Sequence, residues 1–504
     1  MKKSRAAFVL TIALMLIAAA CGGGNTGGGG GGGDAASGAG NAGGSSASTP
    51  ASAQTGNADG QSEAPKERKK IKFTVMVAGD ALPPPEDNAI LQKLNEDLDI
   101  DLEFLTVPDY DQKINVAIAS GDPPDVFQVN SGASANEMLI NFANQGVLLE
   151  LDPYLEQMPN ILASLSEADL NKGRYNGKLY AIPKRTGIPM NSFWVRKDWL
   201  DNLGLKPPTT PEEFKEVAVA FTERDPDGNG KADTYGLTGY GLGSLDGIFA
   251  AFGTGRPGFW FVRDNQVIYT TTSPEMRQAI EYLHDLFSTG AVDPEFLVNK
   301  GLMDQEKAFQ GKVGMLFRNW GELVKDEYVE AYKKINPNAE WLQLDALTGP
   351  GGKYGGTFDI SGTPGKFAIS KNVEKDPEKL ERILEFFNYI TDPGPGQLVV
   401  NYGVEGVHYK VENGTIVPLE KMSELGYAWM MQLTGRNELE YLAVKFPKQK
   451  PYIEFANNMP RIYVHREAVP IPQGVTASDK RTYENTELNK FIYGQRPLSE
   501  WDDF

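Results

Sequence analysis

From Lys70 onward the chain alternates between two hydrophobic periods, and this restricts its fold more than any other sequence feature. Ile71–Val77 is β-branched and apolar, whereas Asn88–Leu98 repeats Ile90, Leu91, Leu94 and Leu98 at helical spacing. Asp101–Thr106 reads as a second strand, Asp111–Ala119 as a second helix closed by Gly121, and Asp125–Val129 as a third strand. This order, with short connections, predicts right-handed βαβ crossovers, a largely parallel sheet and an α/β fold. Ligands of such sheets sit beyond the carboxyl ends of the strands. Asn130 and Ser131, directly after the third strand, are therefore candidate binding residues.

Three later helices are marked by their starts. Thr210-Pro211-Glu212-Glu213 offers an N-cap, a proline at the first helical position and a capping-box glutamate, followed by Phe214, Val217, Ala218 and Phe221 on one face. Ser273-Pro274-Glu275 and Asp376-Pro377-Glu378 open two more, with Ile280, Leu283 and Phe287 inward in one and Leu380, Ile383, Leu384 and Phe387 in the other. No internal repeat is visible.

The first 65 residues belong to a different class of sequence. Lys2, Lys3 and Arg5 precede the apolar run Ala6–Ala20, about 22 Å long as a helix and too short to span ~30 Å of hydrocarbon. Residues 1–20 read as a signal peptide. Ala18-Ala19-Ala20-Cys21 resembles the lipobox of bacterial lipoproteins, which implies that the Cys21 thiol carries a diacylglyceryl group and, once cleavage has freed its amine, palmitate-type acylation. The alternative is an ordinary secretory peptide with an incidental thiol. Two acyl chains anchor stably where one binds marginally. Residues 21–65 continue as a Gly/Ser-rich linker, with 16 of the 55 glycines between Gly22 and Gly60. A coil of that composition spans roughly 35–40 Å and cannot bury a core. Cys21 is the only cysteine, so no intramolecular disulfide or cysteine-rich metal module exists. A formal charge of −18 disfavours nucleic-acid binding and a broad electrostatic membrane patch, leaving the lipid anchor as the membrane contact.

Five segments along the folded body resemble, in order, those of the extracellular solute-binding proteins of family 1, the carbohydrate-type receptors of ABC importers. They are Ser120–Phe127, Tyr175–Pro183 (Gly-Lys-x-Tyr-x-x-Pro), Arg196–Gly204 with Pro208–Phe214 after it, Phe309–Met315 and Tyr402–Tyr409. The resemblance implies a two-lobed periplasmic-binding-protein-like fold of type II, with hinge strands and a ligand cleft. Lobe 1 would hold residues 70–185 plus 360–440, lobe 2 residues 190–355, and residues 441–504 would form a C-terminal segment crossing both. It further implies a monomeric receptor on the extracellular face of a Gram-positive type cell, passing an oligosaccharide to permease subunits.

Sugar binding asks for aromatic faces that stack on pyranose C–H surfaces and for planar groups that read hydroxyls. Phe317-Arg-Asn319-Trp320 resembles the family segment that brings a stacking tryptophan to the cleft, so Trp320 and Asn319 are candidates, against a packed inter-lobe tryptophan. Trp260 lies in a Gly-rich loop, Arg185 and Asn191 flank the expected hinge, and Tyr402 follows Pro393–Gln397. Trp194, Trp199 and Trp341 read as core.

Asp225, Asp227, Asn229, Lys231 (through its carbonyl) and Asp233, with Gly230 at the sixth position, have the spacing of a Ca²⁺ loop. Position 12 is Gly236 rather than glutamate, so the loop is not a complete EF-hand. Alginate-binding relatives carry a similar loop with an acidic residue where Thr234 stands here. A structural Ca²⁺ is expected, against an acidic turn without metal, and no organic cofactor. The zinc-protease helix, the nucleophile elbow and the phosphate-cradling glycine loop are absent from the sequence, so a non-enzymatic receptor is expected. A surface-anchored polysaccharide hydrolase remains the alternative, because its two carboxylates need not be close in sequence.

Overall fold

The computed structural model describes residues 68–79, 82–129, 134–466 and 477–504. Residues 1–20, Cys21 and the linker 21–65 lie outside the described residues, as do Asn130 and Ser131. No helix among the described residues is long and apolar enough to cross a membrane.

The N-terminal alternation builds the first of two principal sheets. Its strand order is Ile100–Val107, Ile71–Ala78, Val126–Val129, Lys366–Ile369 and Ile182–Pro183. The first three are parallel, as expected of βαβ crossovers, and Lys366–Ile369 returns antiparallel to both of its neighbours. The first crossover helix, Ala89–Leu98, starts where the Asn88 side chain accepts the Leu91 N–H and stops at Asp99 in the left-handed region. Its apolar positions Ile90, Leu91, Leu94 and Leu98 are all buried. They share a core with Phe73, Val75 and the helix Pro377–Tyr389, where Phe73 meets Phe386 edge-to-face at 5.6 Å. Removing either ring would cost about 3–5 kcal/mol.

The second sheet has the order Trp341–Gln343, Asn191–Arg196, Val313–Asn319 and Tyr235–Leu237. It is antiparallel except that Tyr235–Leu237 runs parallel to Val313–Asn319. Helix Pro211–Glu223 covers one face with Phe214, Val217, Ala218 and Phe221 buried. Its cap differs from the expected box in one respect: Thr210 accepts the Glu213 N–H, but the Glu213 carboxylate reaches back to Thr209. Helix Pro274–Ser288 starts on Ser273 and joins the same core. The 341 strand, absent from the sequence-based expectation, is too short for a periodicity to mark it.

Two segments bind the halves together. Residues 360–440, expected with lobe 1, divide their side chains: Val399, Val400, Leu425 and Met431 enter the first core, whereas Tyr402, Tyr409 and Met422 join Trp194, Leu316 and Trp320 of the second sheet. Beyond residue 440, Tyr441, Leu442 and Ile453 extend that second-sheet core, and Leu488, Phe491, Ile492 and Trp501 pack with helix Pro274–Ser288. The chain therefore crosses between the sheets near 184–190, 357–365 and again after 390, and Thr357–Asp359 pairs in parallel with Ile462–Val464.

Candidate functional site

At the crossing segments a cavity of about 470 Å³ opens against the second sheet. Two facing ladder residues, Asn191 and Asn319, line its wall at the ends of adjacent antiparallel strands. The strand that carries Asn319 also brings Phe317 and Arg318. Thr357–Asp359 and Arg461 close the other side, with Tyr240 and Arg256 on neighbouring loops. A second cavity of about 610 Å³ lies against the first sheet. Asn136, Asp169, Lys172, Tyr175, Thr186 and Lys366 line it, and it meets the crossing segments at Ile360, Ser361 and His465.

The polar groups of the first cavity are held by one another. Asp246 is buried and accepts from the Thr357 N–H at 2.9 Å and its hydroxyl at 2.8 Å, with Arg256 at 3.6 Å. Arg461 donates to the carbonyls of Gly355, Asn191 and Ala456, tying three segments together. Burial draws its affinity for a proton below the ordinary value, with Asp246 opposing. Arg318 is forked onto Asp304 and donates to Glu322 at 2.7 Å. Burial works against its charge, but those two carboxylates keep the guanidinium more firmly protonated than usual. It lies 4.4 Å from the centre of the Tyr240 ring, which is 47% exposed. A cation behind one face leaves an aromatic platform fixed in place with much of its surface available.

In the second cavity, Asp169 accepts from Lys172 at 3.0 Å and Thr186 at 3.0 Å. Burial opposes its ionisation, yet the hydrogen bonds from Ser166, Lys172 and Thr186 hold the carboxyl below the usual range. Lys366 is buried and donates to Asn136. Both cavities thus offer fixed amide, hydroxyl and charged groups beside apolar carbon.

The candidates read from sequence fall into three sets. Asn191 and Asn319 come together on the first cavity; the Asn319 amide also caps the following turn by accepting the Gly321 N–H at 2.8 Å. Trp320 and Tyr402 are 2% and 4% exposed and lie in the second-sheet core rather than on a cavity wall, Trp320 edge-to-face with Phe446 at 5.4 Å and Tyr402 stacked on Tyr441 at 5.7 Å. The Trp320 indole N–H has no hydrogen-bond partner among the described residues. Trp260 is half-buried on the hairpin Trp260–Tyr269, faces Tyr269 at 4.4 Å and exchanges backbone hydrogen bonds with His465. Arg185 bonds through its backbone N–H to Thr434 and lines neither cavity. Sequence reasoning passed over Tyr240, Asp246, Arg256 and Arg461. Tyr240 could have been found: an aromatic between Gly239 and Gly241 just after a strand is one that no core demands.

The Asp225–Asp233 loop is curled as its spacing suggests. Asp225 takes the backbone N–H groups of Asn229 and Gly230, and the Asn229 amide reaches Asp227 at 2.8 Å and Asp233 at 3.2 Å. Burial, then the neighbouring acids Asp225 and Asp233, push the Asp227 carboxyl above its ordinary value. Among the described residues, no three His, Cys, Asp or Glu side chains are grouped as a metal site. The donors of the loop are oxygens suited to a hard cation, with the Asn229 amide standing between two of the carboxylates.

Comparisons with known proteins agree with this architecture. Residues 78–397 match the family of bacterial extracellular solute-binding proteins. Lipoprotein LipO of Bacillus subtilis is 28% identical over 455 residues, covering 86% of this chain and 87% of its own. The polygalacturonan/rhamnogalacturonan-binding protein YtcQ of the same organism is 31% identical over 349 residues, covering 68% and 67%. The substrate-binding protein FusA of the Streptococcus pneumoniae ABC transporter, solved with kestose, superposes with a TM-score of 0.66 at 22% identity, covering 86% of this chain and 94% of that one. FusA was also solved as an EF-hand mutant with fructo-nystose, at a TM-score of 0.64, 21% identity and the same coverage. The mixed α/β fold of this chain, with its two principal sheets, is the one it shares with these substrate-binding proteins. By fold and by sequence, the chain belongs to the bacterial extracellular solute-binding protein family.

Proposed function

We propose that this chain is a lipid-anchored receptor, held at the outer face of the membrane through Cys21, that captures an oligosaccharide and hands it to the permease of an ABC importer. The observation that carries the proposal is the pair of cavities on either side of the crossing segments, one against each sheet. Their sizes suit a ligand of a few sugar units. Tyr240 supplies a stacking face, and Asn191, Asn319, Asp246, Arg256 and Asp359 supply planar hydrogen-bonding groups around it. A ligand touching both walls favours the closed arrangement, with residues 184–190 and 357–365 as hinges, and the closed surface is what the permease recognises. The names of YtcQ and FusA support a polymer-derived saccharide. The name of LipO, with the sequence around Cys21, supports the anchor.

The loop Asp225–Asp233 would hold Ca²⁺ through Asp225, Asp227, Asn229, Asp233 and the Lys231 carbonyl once the Asn229 amide has turned aside. The ion supplies charge neutralisation and order in the loop.

Titration calorimetry of the purified protein against neutral and acidic oligosaccharides, followed by analysis of the recovered sugar, tests the receptor. Saturable binding with the sugar returned intact is expected. Cleaved sugar would move the case to the hydrolase, and no binding by any saccharide class would sink the proposal.

A further inference from the structure

A third cavity, of about 350 Å³, adjoins the first and shares Tyr240, Gly243 and Arg256 with it. Its charge is unlike that of the chain around it. The first cavity is balanced, with Asp246, Glu322 and Asp359 against Arg256, Arg318 and Arg461. The third is lined by Arg256, Arg466 and Arg481, with Asn485 and Asn489, and no Asp or Glu among the described residues. A chain of net charge −18 that gathers three guanidiniums round one pocket is arranged for an anion.

Two of the arginines are held in position. Arg256 and Arg466 each lie 5.1 Å from the centre of the Phe259 ring. Their carboxylate neighbours, Asp246 at 3.6 Å and Asp359 at 3.3 Å, line the first cavity and not this one. Arg481 projects from helix Ala477–Ile492 and is exposed. Glu484, the acid one turn further along, is engaged by the Tyr269 hydroxyl at 2.5 Å and by Lys480 at 3.7 Å. Asn489 adds a side-chain oxygen that is buried and has no hydrogen-bond partner among the described residues. A guanidinium fork matches a carboxylate, and an amide matches a hydroxyl. A ligand that presents both groups together is a sugar acid.

We propose that this pocket is an anion-selecting subsite and that the saccharide captured is acidic, with a uronate carboxylate received by Arg481 and Arg466. The proposal rests on the receptor reading above and specifies its cargo. The decisive experiment is calorimetry at low salt with trigalacturonate and with its methyl ester, which keeps the skeleton and removes the charge. The acid is expected to bind at least tenfold more tightly than the ester. Arg481→Gln, at an exposed position, should leave the melting temperature unchanged and lower affinity for the acid at least fivefold, while leaving the ester unaffected. Equal binding of acid and ester, or full discrimination retained in Arg481→Gln, would overturn the assignment. Binding of kestose with rejection of trigalacturonate would overturn it too, yet leave the receptor intact. Failure of all three sugars would count against receptor and subsite alike.

Discussion

Tyr240 and Trp320 show what a single residue can and cannot reveal. Both are aromatic, both follow a strand of the second sheet, and only their surroundings separate them. Trp320 begins a turn that points into the core between Phe446 and its neighbours, whereas Tyr240 is flanked by glycines and rests on Arg318. The sequence offered a planar amide pair and aromatic rings as candidates, but not which ring would face outward. Burial depends on residues such as Phe446 that are distant in sequence and arrive only with the tertiary fold. Aromatic contacts contribute about 0.5–1.5 kcal/mol beyond their area. Tyr240→Ala is therefore expected to weaken saccharide binding about three- to tenfold with an unchanged melting temperature, checked by calorimetry and thermal denaturation. A loss of stability with affinity intact would show that Tyr240 is structural.

At the level of elements, legibility followed capping chemistry. Helices Ala89–Leu98, Pro211–Glu223, Pro274–Ser288 and Pro377–Tyr389 all begin at a side chain that accepts a backbone N–H, and in the last three the Thr, Ser or Asp ahead of an apolar stripe marked the start in the sequence. Short strands such as Trp341–Gln343 carry no such mark, and their existence depends on a partner strand about 150 residues away in sequence. The Asp225–Asp233 loop is an element of a third kind, ordered by its own side chains, and its acids repel. Millimolar Ca²⁺ at about tenfold over its dissociation constant would stabilise the fold by about 1.4 kcal/mol, a rise on the order of 1–3 °C in melting temperature. Differential scanning fluorimetry with Ca²⁺ and with EDTA checks this. In Asp227→Asn the shift should vanish, and the variant without metal should be no less stable than the parent, since one of the mutually repelling charges is gone. A Ca²⁺ shift that persists in the variant would place the ion elsewhere.

For the whole molecule, the sequence predicted an α/β fold of two halves, and the two sheets bear out that class. It did not anticipate how the segment after residue 390 divides its side chains between both cores, because alternating apolar residues look the same whichever core receives them. Each half nonetheless keeps its own sheet and helices, joined by the crossing segments near 184–190 and 357–365. Small-angle scattering is expected to show a smaller radius of gyration when saccharide is saturating, and no change on adding a sugar that does not bind. A radius unaffected by a bound ligand would show that the halves do not close.

That shared segment bears on descent as well as on motion. Because the chain passes between the sheets several times, and Tyr402, Tyr409 and Tyr441 line the core of one half while Val400 and Met431 line that of the other, no single cut in the gene frees an intact half. Recombination could not trade one half for another in a single exchange. On the binding mode proposed above, new specificities in such a lineage would come by substitution along the cavity walls, at positions such as 240, 256 and 481, within a frame inherited whole.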